Sequence, residues 1–564
     1  MNEQTGNRRT GAEAMVDLLA GHGVRHVFGL CGDTSLPFYD ALARLDHPMT
    51  HILMRDERHA AYAADAYARV TGRPGVCEGP SGGGATYIAP GLIEANDSSV
   101  PILAITTDVA TTSAGRFPLT ELDQEALFRP LTKWNGMIRS AGVLPRMVRK
   151  AFRKMSTGRP GSVHLGLPFD VQKAPVEEGD IWADDRFQRY PALPAAPDPR
   201  SVEAVAEALL RAEAPVIVCG GGVVLAGAEG ALAALAEALD LPVCATVSGQ
   251  GAMAETHPLC AGVVGSNGGT AATRALVDGA DCVFFIGCRA GSVTTERWRS
   301  PAPGTTVLHL DNDPAVIGAC YNTAAAIVAD ARLGLEALEA VTTGRRMAKD
   351  GAARVAVARA RKWEAFRALA ASDETPIRPE RVIAELQAAL PEDAVVCADP
   401  GTPCPYFSAW YEWPRAGRHF LTNRAHGALG WSLGAAIGAQ IGRPDAKVIA
   451  AMGDGSFGMS VGELETIVRL KLRITIVVFS NAVFGWIKAG QKSGFGERYF
   501  SVDFSRTDHA AVAAAYGVKS WRVEDPGDLA TTLSAAVAHD GPTLIDVIAQ
   551  PLQDAAAPVS EWVA

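Results

Sequence analysis

Short apolar runs alternate along this chain with longer stretches whose apolar residues recur at helical spacing. From Gly11 the segment GAEAMVDLLAGHGV predicts a helix, RHVFGL a strand, and Cys31-Gly32-Asp33 a turn. Further strand–helix units follow to about Val171, and residues 172–200, rich in Pro, Ala and acidic side chains, have the composition of a linker. A second block starts at Val202, with strand patterns PVIVCG, LPVCAT, CVFFIG and TTVLHLD, and ends near Ala340. The basic stretch from Arg345 to Arg367 predicts a solvated helix that connects to a third block, from about Pro379 to Val547. Such alternation implies parallel sheets covered by helices on both faces. The expected fold is therefore α/β, with three doubly wound parallel-sheet domains at 1–175, 195–342 and 375–550 and a tail at 551–564.

The chemistry concentrates in Lys447–Ile487, KVIAAMGDGSFGMSVGELETIVRLKLRITIVVFSNAVFGWI. Val448 to Met452 predicts a buried strand, and Gly453-Asp454-Gly455 a turn that lets backbone approach a ligand. A helix with Val461, Leu464, Ile467 and Val468 on one face should follow, and then a second buried strand, Ile474 to Phe479, ending at Ser480-Asn481. Open α/β sheets bind ligands at the carboxyl ends of their strands. Asp454, the Asn481 carboxamide and the Val483 carbonyl would supply three hard oxygen ligands for Mg²⁺. The amides of Gly455 and Ser456 could hold phosphate oxygens. The plainer alternative is a tight turn with Asp454 as a helix cap.

This stretch resembles the diphosphate-binding motif of thiamine diphosphate (ThDP) enzymes: GDG, about two dozen residues, then NN. Here the 25 residues Ser456–Ser480 separate Gly453-Asp454-Gly455 from Asn481, and Ser480 replaces the first Asn. The family also needs a Glu that protonates the ring nitrogen of the cofactor's aminopyrimidine. In residues 51–106 Glu57 holds that position, after Arg55-Asp56 where Arg-His is usual. Pro80-Ser81-Gly82-Gly83-Gly84-Ala85-Thr86 is similar to the glycine-rich turn that packs on the cofactor, with Gly83 as its candidate contact and Gly32 another. Asp399-Pro400-Gly401-Thr402 resembles the second diphosphate-side turn, which makes Gly401 and Thr402 candidates. Gly427-Ala428-Leu429-Gly430 is similar to the segment that holds the aminopyrimidine, with Leu429 as the apolar prop of the bent cofactor.

The resemblance covers nearly the whole chain and implies a pyrimidine-binding, a middle and a diphosphate-binding domain. It also implies a homodimer or homotetramer, because the family's site lies between the first domain of one subunit and the third of another.

Composition narrows the class. The chain has 564 residues, 48% hydrophobic and 20% charged, with a formal net charge of −10 and no basic stripe, which argues against nucleic acid as a partner. Ten cysteines are scattered without a C-x-x-C pair, so buried free thiols are expected. The N-terminus is polar and no apolar run is long enough to span a membrane, which predicts a cytoplasmic enzyme without a membrane partner.

Among ThDP enzymes the general pattern looks like acetolactate synthase, with FGLCGDTSLPFYDAL, HLDNDPAVIG and GWIKAGQ. Two positions depart from it: Leu119-Thr120-Glu121 stands where that synthase has Phe-Gln-Glu, and Pro168-Phe169-Asp170 where it has Pro-Lys-Asp. Thr120 to Gln124 is similar to the Glu-x-Asp-Gln segment of oxalyl-CoA decarboxylases, relatives of the 2-hydroxyacyl-CoA lyases, which brings in Glu121. Val483 to Phe504 should close over the cofactor, with Trp486 and Ile487 against it and Gln491, Glu497 and Tyr499 near the substrate.

On motifs alone the first choice is a 2-hydroxyacyl-CoA lyase, releasing formyl-CoA and an aldehyde or ketone. The runner-up is an acetolactate-synthase-like carboligase or 2-oxo acid decarboxylase. The middle domain, with Cys219 to Val223 and Asp311-Asn312-Asp313, would suit ADP, CoA or FAD, or no ligand. A non-catalytic ThDP- or nucleotide-binding protein is the reading from another class, and Glu57 argues against it, because a pure binder needs no activating proton.

Overall fold

The computed structural model describes residues 8–345 and 349–562. Three six-stranded parallel sheets carry the chain, as the alternation predicts. The first runs, edge to edge, Thr50–Leu53, His26–Gly29, Gly75–Gly79, Ile102–Asp108, Val163–Pro168 and Trp134–Met137. The second orders Cys260–Val263, Val243–Ala245, Pro215–Cys219, Cys282–Ile286, Thr306–Asp311 and Thr323–Val328. The third orders Phe420–Thr422, Val395–Ala398, Val448–Gly453, Ile474–Ser480, Thr543–Ile548 and Lys519–Val523. Central strands such as Ile474–Ser480 are buried at every residue, which is why they read as unbroken apolar runs.

The residues group into two compact units. One ends at Leu193 and takes in Gly434–Pro444; the other holds Pro194–Leu433 and the chain from Asp445 on. In the first unit, Gly434 and Gly438 of the helix Trp431–Gly442 meet the helix Glu57–Thr71 backbone to backbone: a Cβ on Gly438 would lie 1.9 Å from the Ala63 carbonyl oxygen. In the second unit, strand order reverses between Val395–Ala398 and Val448–Gly453, a topological switch point that opens a crevice at the carboxyl ends of those strands.

Several local expectations change. The helix after Gly453 is broken at Val461-Gly462 into Asp454–Ser460 and Glu463–Arg469, with Leu464 and Ile467 buried and Val461 and Val468 half-buried. The connector helix Gly351–Ala370 is not simply solvated: Val355, Ala358, Lys362 and Phe366 form a buried stripe along it, and residues 346–348 lie outside the described residues. The linker-like segment packs rather than floats, because Pro175-Val176 pairs antiparallel with Arg9-Thr10 and Phe187 and Tyr190 are buried.

All ten cysteines are free thiols, eight of them buried, with Cys31 and Cys320 exposed. The tail docks. Gly268 N donates to Pro558 O, Ser560 N to Ser266 O, and Glu561 pairs with Arg297 and Arg299. Trp562 packs edge-on against Trp486 at 5.1 Å, while Val563 lies outside the described residues. Among the described residues no helix is long and apolar enough to cross a membrane.

Candidate active site

At the switch point the strand Val448–Gly453 ends, and Asp454 itself opens the next helix, with Gly453 extended. Asp454 is 5% exposed. Its Oδ1 accepts Gly455 N at 2.9 Å, and its Oδ2 accepts Asn481 N at 2.8 Å and Ala482 N at 2.6 Å. Burial pushes this carboxyl up, and the three amides pull it back down. The two amides held by Oδ2 fix the left-handed turn at Ala482, φ +59°, which costs a non-glycine residue about 1 kcal/mol.

Three of the carboxylate's four lone pairs are thus occupied, and one on Oδ1 is left. The Asn481 carboxamide makes no hydrogen bond among the described residues. Val483 bridges Asp503 through the bonds of its neighbours, Phe484 N to Val502 O and Phe504 N to Ala482 O, so its own carbonyl is unspent there. One carboxylate lone pair, one carboxamide oxygen and one carbonyl make a donor set that fits Mg²⁺ completed by phosphate and water oxygens. Among the described residues no cluster of three or more His, Cys, Asp or Glu could hold a metal by itself.

A cleft of about 320 Å³ opens here. Gly401 and Thr402 line it from one turn, Gly427 and Leu429 from another, and Gly455, Ser456, Asp454, Asn481 and Val483 form the strand-end wall. Trp486 and Ile487, at the start of the helix Gly485–Gly494, form the far wall. Gly455 leaves room for the Phe484 ring, which a Cβ there would approach to 2.7 Å. Its amide is already given to Asp454, so of the two amides expected to hold phosphate only that of Ser456 is unspent among the described residues.

Other candidates stand apart from this cleft. Gln491 ties its helix to the next segment, donating to Phe500 O at 3.0 Å and accepting Phe500 N at 3.1 Å. Glu497, at φ +58°, is exposed, and Tyr499 lies under Lys488 at 4.9 Å.

Three residues to which the motifs gave no role, Asp399 of the diphosphate-side turn among them, hold the cleft's shape. Arg424 lies over the Trp486 ring at 5.9 Å and donates to the carboxamide oxygen of buried Asn267. Phe484 forms wall between Val483 and Gly485. Asp399, fully buried, accepts Gly430 N at 3.1 Å and Ser432 N at 2.9 Å; burial pushes it up to about 6. A carboxylate just after an apolar strand, facing a glycine at φ +83°, was the signal available for it.

In the other unit Glu57 opens the helix Glu57–Thr71 and is 7% exposed. The replacement of His by Asp56 supplies the helix cap, since its side chain accepts Arg58 N at 2.8 Å. Burial raises the Glu57 carboxyl. The glycine turn closes over it: a Cβ on Gly84 would lie 3.0 Å from Glu57 Oε1. Gly32 packs on Pro80, a Cβ there falling 2.3 Å from the proline ring, while Gly83 faces open space. Glu121 is exposed and accepts Gly115 N at 2.6 Å. In the middle sheet Gly220 abuts Gly287, where a Cβ on Gly220 would lie 2.2 Å from the Gly287 carbonyl oxygen, so these glycines serve close backbone packing.

Three family models match in order. They are the thiamine pyrophosphate enzyme N-terminal TPP binding domain over residues 9–127, the central domain over 202–338 and the C-terminal TPP binding domain over 401–547. The chain belongs to the thiamine pyrophosphate enzymes.

Each of the three sheets of this ThDP-dependent enzyme corresponds to one of these domains. Relatives match over almost the full length. A probable acetolactate synthase large subunit of Methanococcus aeolicus is 34% identical over 561 residues, covering 96% of this chain and 92% of the relative. An acetolactate synthase of Arthrospira platensis is 32% identical over 557 residues, covering 97% and 95%.

Proposed function

We propose that this enzyme is a ThDP- and Mg²⁺-dependent carboligase acting on a 2-oxo acid, of the acetolactate-synthase-like kind. The observation that carries this reading is the near-complete alignment with relatives named as acetolactate synthases. On motifs alone the 2-hydroxyacyl-CoA lyase stands first, and the relatives reverse that order.

Bound ThDP supplies a nucleophilic carbon that adds to a 2-oxo carbonyl and accepts the electron pair left by carbon dioxide. Everything else falls to the chain. Glu57, buried and raised in pKa, carries a proton to the aminopyrimidine ring nitrogen. Asp454, Asn481 and the Val483 carbonyl hold Mg²⁺, and the Ser456 amide binds diphosphate oxygen. Leu429 props the cofactor, and Trp486 and Ile487 exclude water from the reacting carbon. A homodimer or homotetramer belongs to the same proposal.

The second substrate is where this enzyme departs from the synthase pattern. Phe169 stands where a lysine is usual, and Lys173, four residues on, lies over its ring at 4.3 Å. Thr120 replaces a glutamine. We therefore assign the acceptor to a less anionic carbonyl compound than a second 2-oxo acid.

The test is a product survey with ThDP and Mg²⁺. Pyruvate and other 2-oxo acids are offered with and without an aldehyde acceptor, and 2-hydroxyacyl-CoA thioesters separately. A ligated hydroxyketone from the 2-oxo acid supports the proposal; formyl-CoA from a thioester, with 2-oxo acids untouched, replaces it with the lyase.

A further inference from the structure

The first unit buries a carboxyl that none of these roles uses. Glu78 lies in the central strand Gly75–Gly79, fully buried, beside Gly29 and Ile105 of the neighbouring strands. Gly29 makes its room: a Cβ there would lie 2.9 Å from Glu78 Oε2. Ser35 Oγ stands 2.5 Å from Oε1, and Tyr39 OH donates to Oε2 at 2.8 Å while standing 2.9 Å from His51 Nε2. From Ser35 the hydroxyls continue: 3.0 Å to Thr107 Oγ1, 2.8 Å on to Thr34 Oγ1, 3.2 Å to Ser81 Oγ and 2.6 Å to Thr120 Oγ1. Thr120 donates finally to Leu119 O at 2.5 Å.

The far end is a strained loop. Thr120 has φ +70° and Phe117 φ +60°, and Phe117 and Leu119 are 95% and 85% exposed. Gly115 N to Glu121 and Glu121 N to Pro118 O are bonds within the loop, whereas Ser81 holds it from outside.

We propose that Glu78 is a positioning residue whose bound proton orders this hydroxyl chain, fixes Thr120 and so sets the 115–121 loop that receives the second substrate. The substrate clause rests on the carboligase reading; the ordering does not.

Each hydroxyl has one proton to give. With Glu78 protonated at Oε1 the chain runs one way, Glu78 to Ser35, Thr107, Thr34, Ser81 and Thr120, ending on the Leu119 carbonyl. Every hydroxyl then gives its one proton onward, Thr34 Oγ1 also accepting Ser81 N at 3.2 Å, and such chains reinforce themselves. With Glu78 ionised, Ser35 must turn its proton back to the carboxylate, the chain reverses so that Thr120 gives to Ser81, and the Leu119 carbonyl loses its donor.

Burial holds Glu78 up at about 8, against the pull of Ser35 and Tyr39. The groups facing it do not titrate with it. Tyr39 and the thiols of Cys31 and Cys77 are raised by burial, so they stay protonated. His51 is lowered to about 4 by burial and stays neutral, and Glu57 adds only like charge that raises Glu78 further.

The experiment compares wild type, Glu78→Gln and Thr107→Val. Glu78→Gln keeps a neutral donor and acceptor in place; Thr107→Val removes the central hydroxyl at nearly constant volume. Amide hydrogen exchange of residues 115–121 is read on the cofactor-free chain at matched pH, and the KM of the second substrate across pH. The loop should be protected in wild type below pH ~8 and in Glu78→Gln throughout, with exchange about tenfold faster in Thr107→Val, one hydrogen bond's worth. Wild type should lose affinity for the second substrate above that pH and Glu78→Gln should not. Wild-type exchange in Thr107→Val, or an alkaline loss retained by Glu78→Gln, overturns the proposal. A changed loop with unchanged KM leaves the ordering standing and removes the carboligase reading of the loop.

Discussion

The Asp454 carboxylate accepts the backbone amides of both Asn481 and Ala482, at 2.8 and 2.6 Å, and so ties the start of one helix to the end of the next strand. One side chain thereby shapes the turn and offers its remaining lone pair to a cation. Removing Asp454 would confound the two effects, so Asn481, whose carboxamide bonds to nothing among the described residues, is the cleaner probe. Asn481→Ala should fold like wild type and lose about 10–100-fold or more in Mg²⁺-supported ThDP affinity, measured by calorimetry. Undiminished affinity would place the cation elsewhere.

Glu57→Gln separates catalysis from binding. The buried carboxyl is replaced by a group of the same size that cannot give up its proton. Turnover should fall about 10²–10⁴-fold, the usual worth of a positioned acid–base group, while ThDP affinity changes little. A variant with wild-type turnover would make Glu57 a helix-end residue and nothing more.

How much of the fold and site was legible in the sequence depended on range. The strands Val448–Gly453 and Ile474–Ser480 and the Asp454–Asn481 spacing were readable because apolar runs and glycine turns are local patterns. Cys260–Val263 and Thr323–Val328 were missed: the first is short and small-chained and the second, TAAAIV, is alanine-rich, so neither has the β-branched run of a buried strand. The roles of Arg424 and Asn267, and the tail's hold on Ser266 and Gly268, join residues far apart in sequence, and no local period announces them. Glu78 carries no local signal either, since the five hydroxyls that lead from it come from segments far apart in sequence.

Packing of the helix Trp431–Gly442 on the helix Glu57–Thr71 depends on missing side chains. Gly438→Ala would place a methyl 1.9 Å from the Ala63 carbonyl oxygen, backbone that cannot swing aside. Overpacking of this kind costs about 1–3 kcal/mol, and calorimetry should show a lowered Tm. Gly230→Ala is the control. Nothing lies within 4 Å of its Cβ position in the helix Glu229–Leu239, and it should gain up to about 1 kcal/mol. Equal melting temperatures for the two variants would contradict the close contact.

Asp399 should leave a mark on the pH dependence of stability. Burial raises its folded pKa to about 6 from an ordinary value of 3.8, so between these values the folded chain keeps a proton that the unfolded chain has lost. That contribution is present in full below pH ~4 and disappears as pH rises through about 6. Urea denaturation of the cofactor-free protein should show wild type losing stability across that window relative to Asp399→Asn. A constant difference between the two would mean that Asp399 ionises normally.

In the proposed reaction a 2-oxo acid is decarboxylated and its remaining carbons are joined to a second carbonyl compound. Labelled pyruvate, supplied with ThDP, Mg²⁺ and an aldehyde, tests it in one tube by magnetic resonance of the products. Carbon dioxide should appear together with a labelled hydroxyketone containing the aldehyde carbons, both about 10²–10⁴-fold slower in Glu57→Gln and, at limiting ThDP and Mg²⁺, reduced in Asn481→Ala. Pyruvate left intact while a 2-hydroxyacyl-CoA is cleaved to formyl-CoA under the same conditions would contradict it.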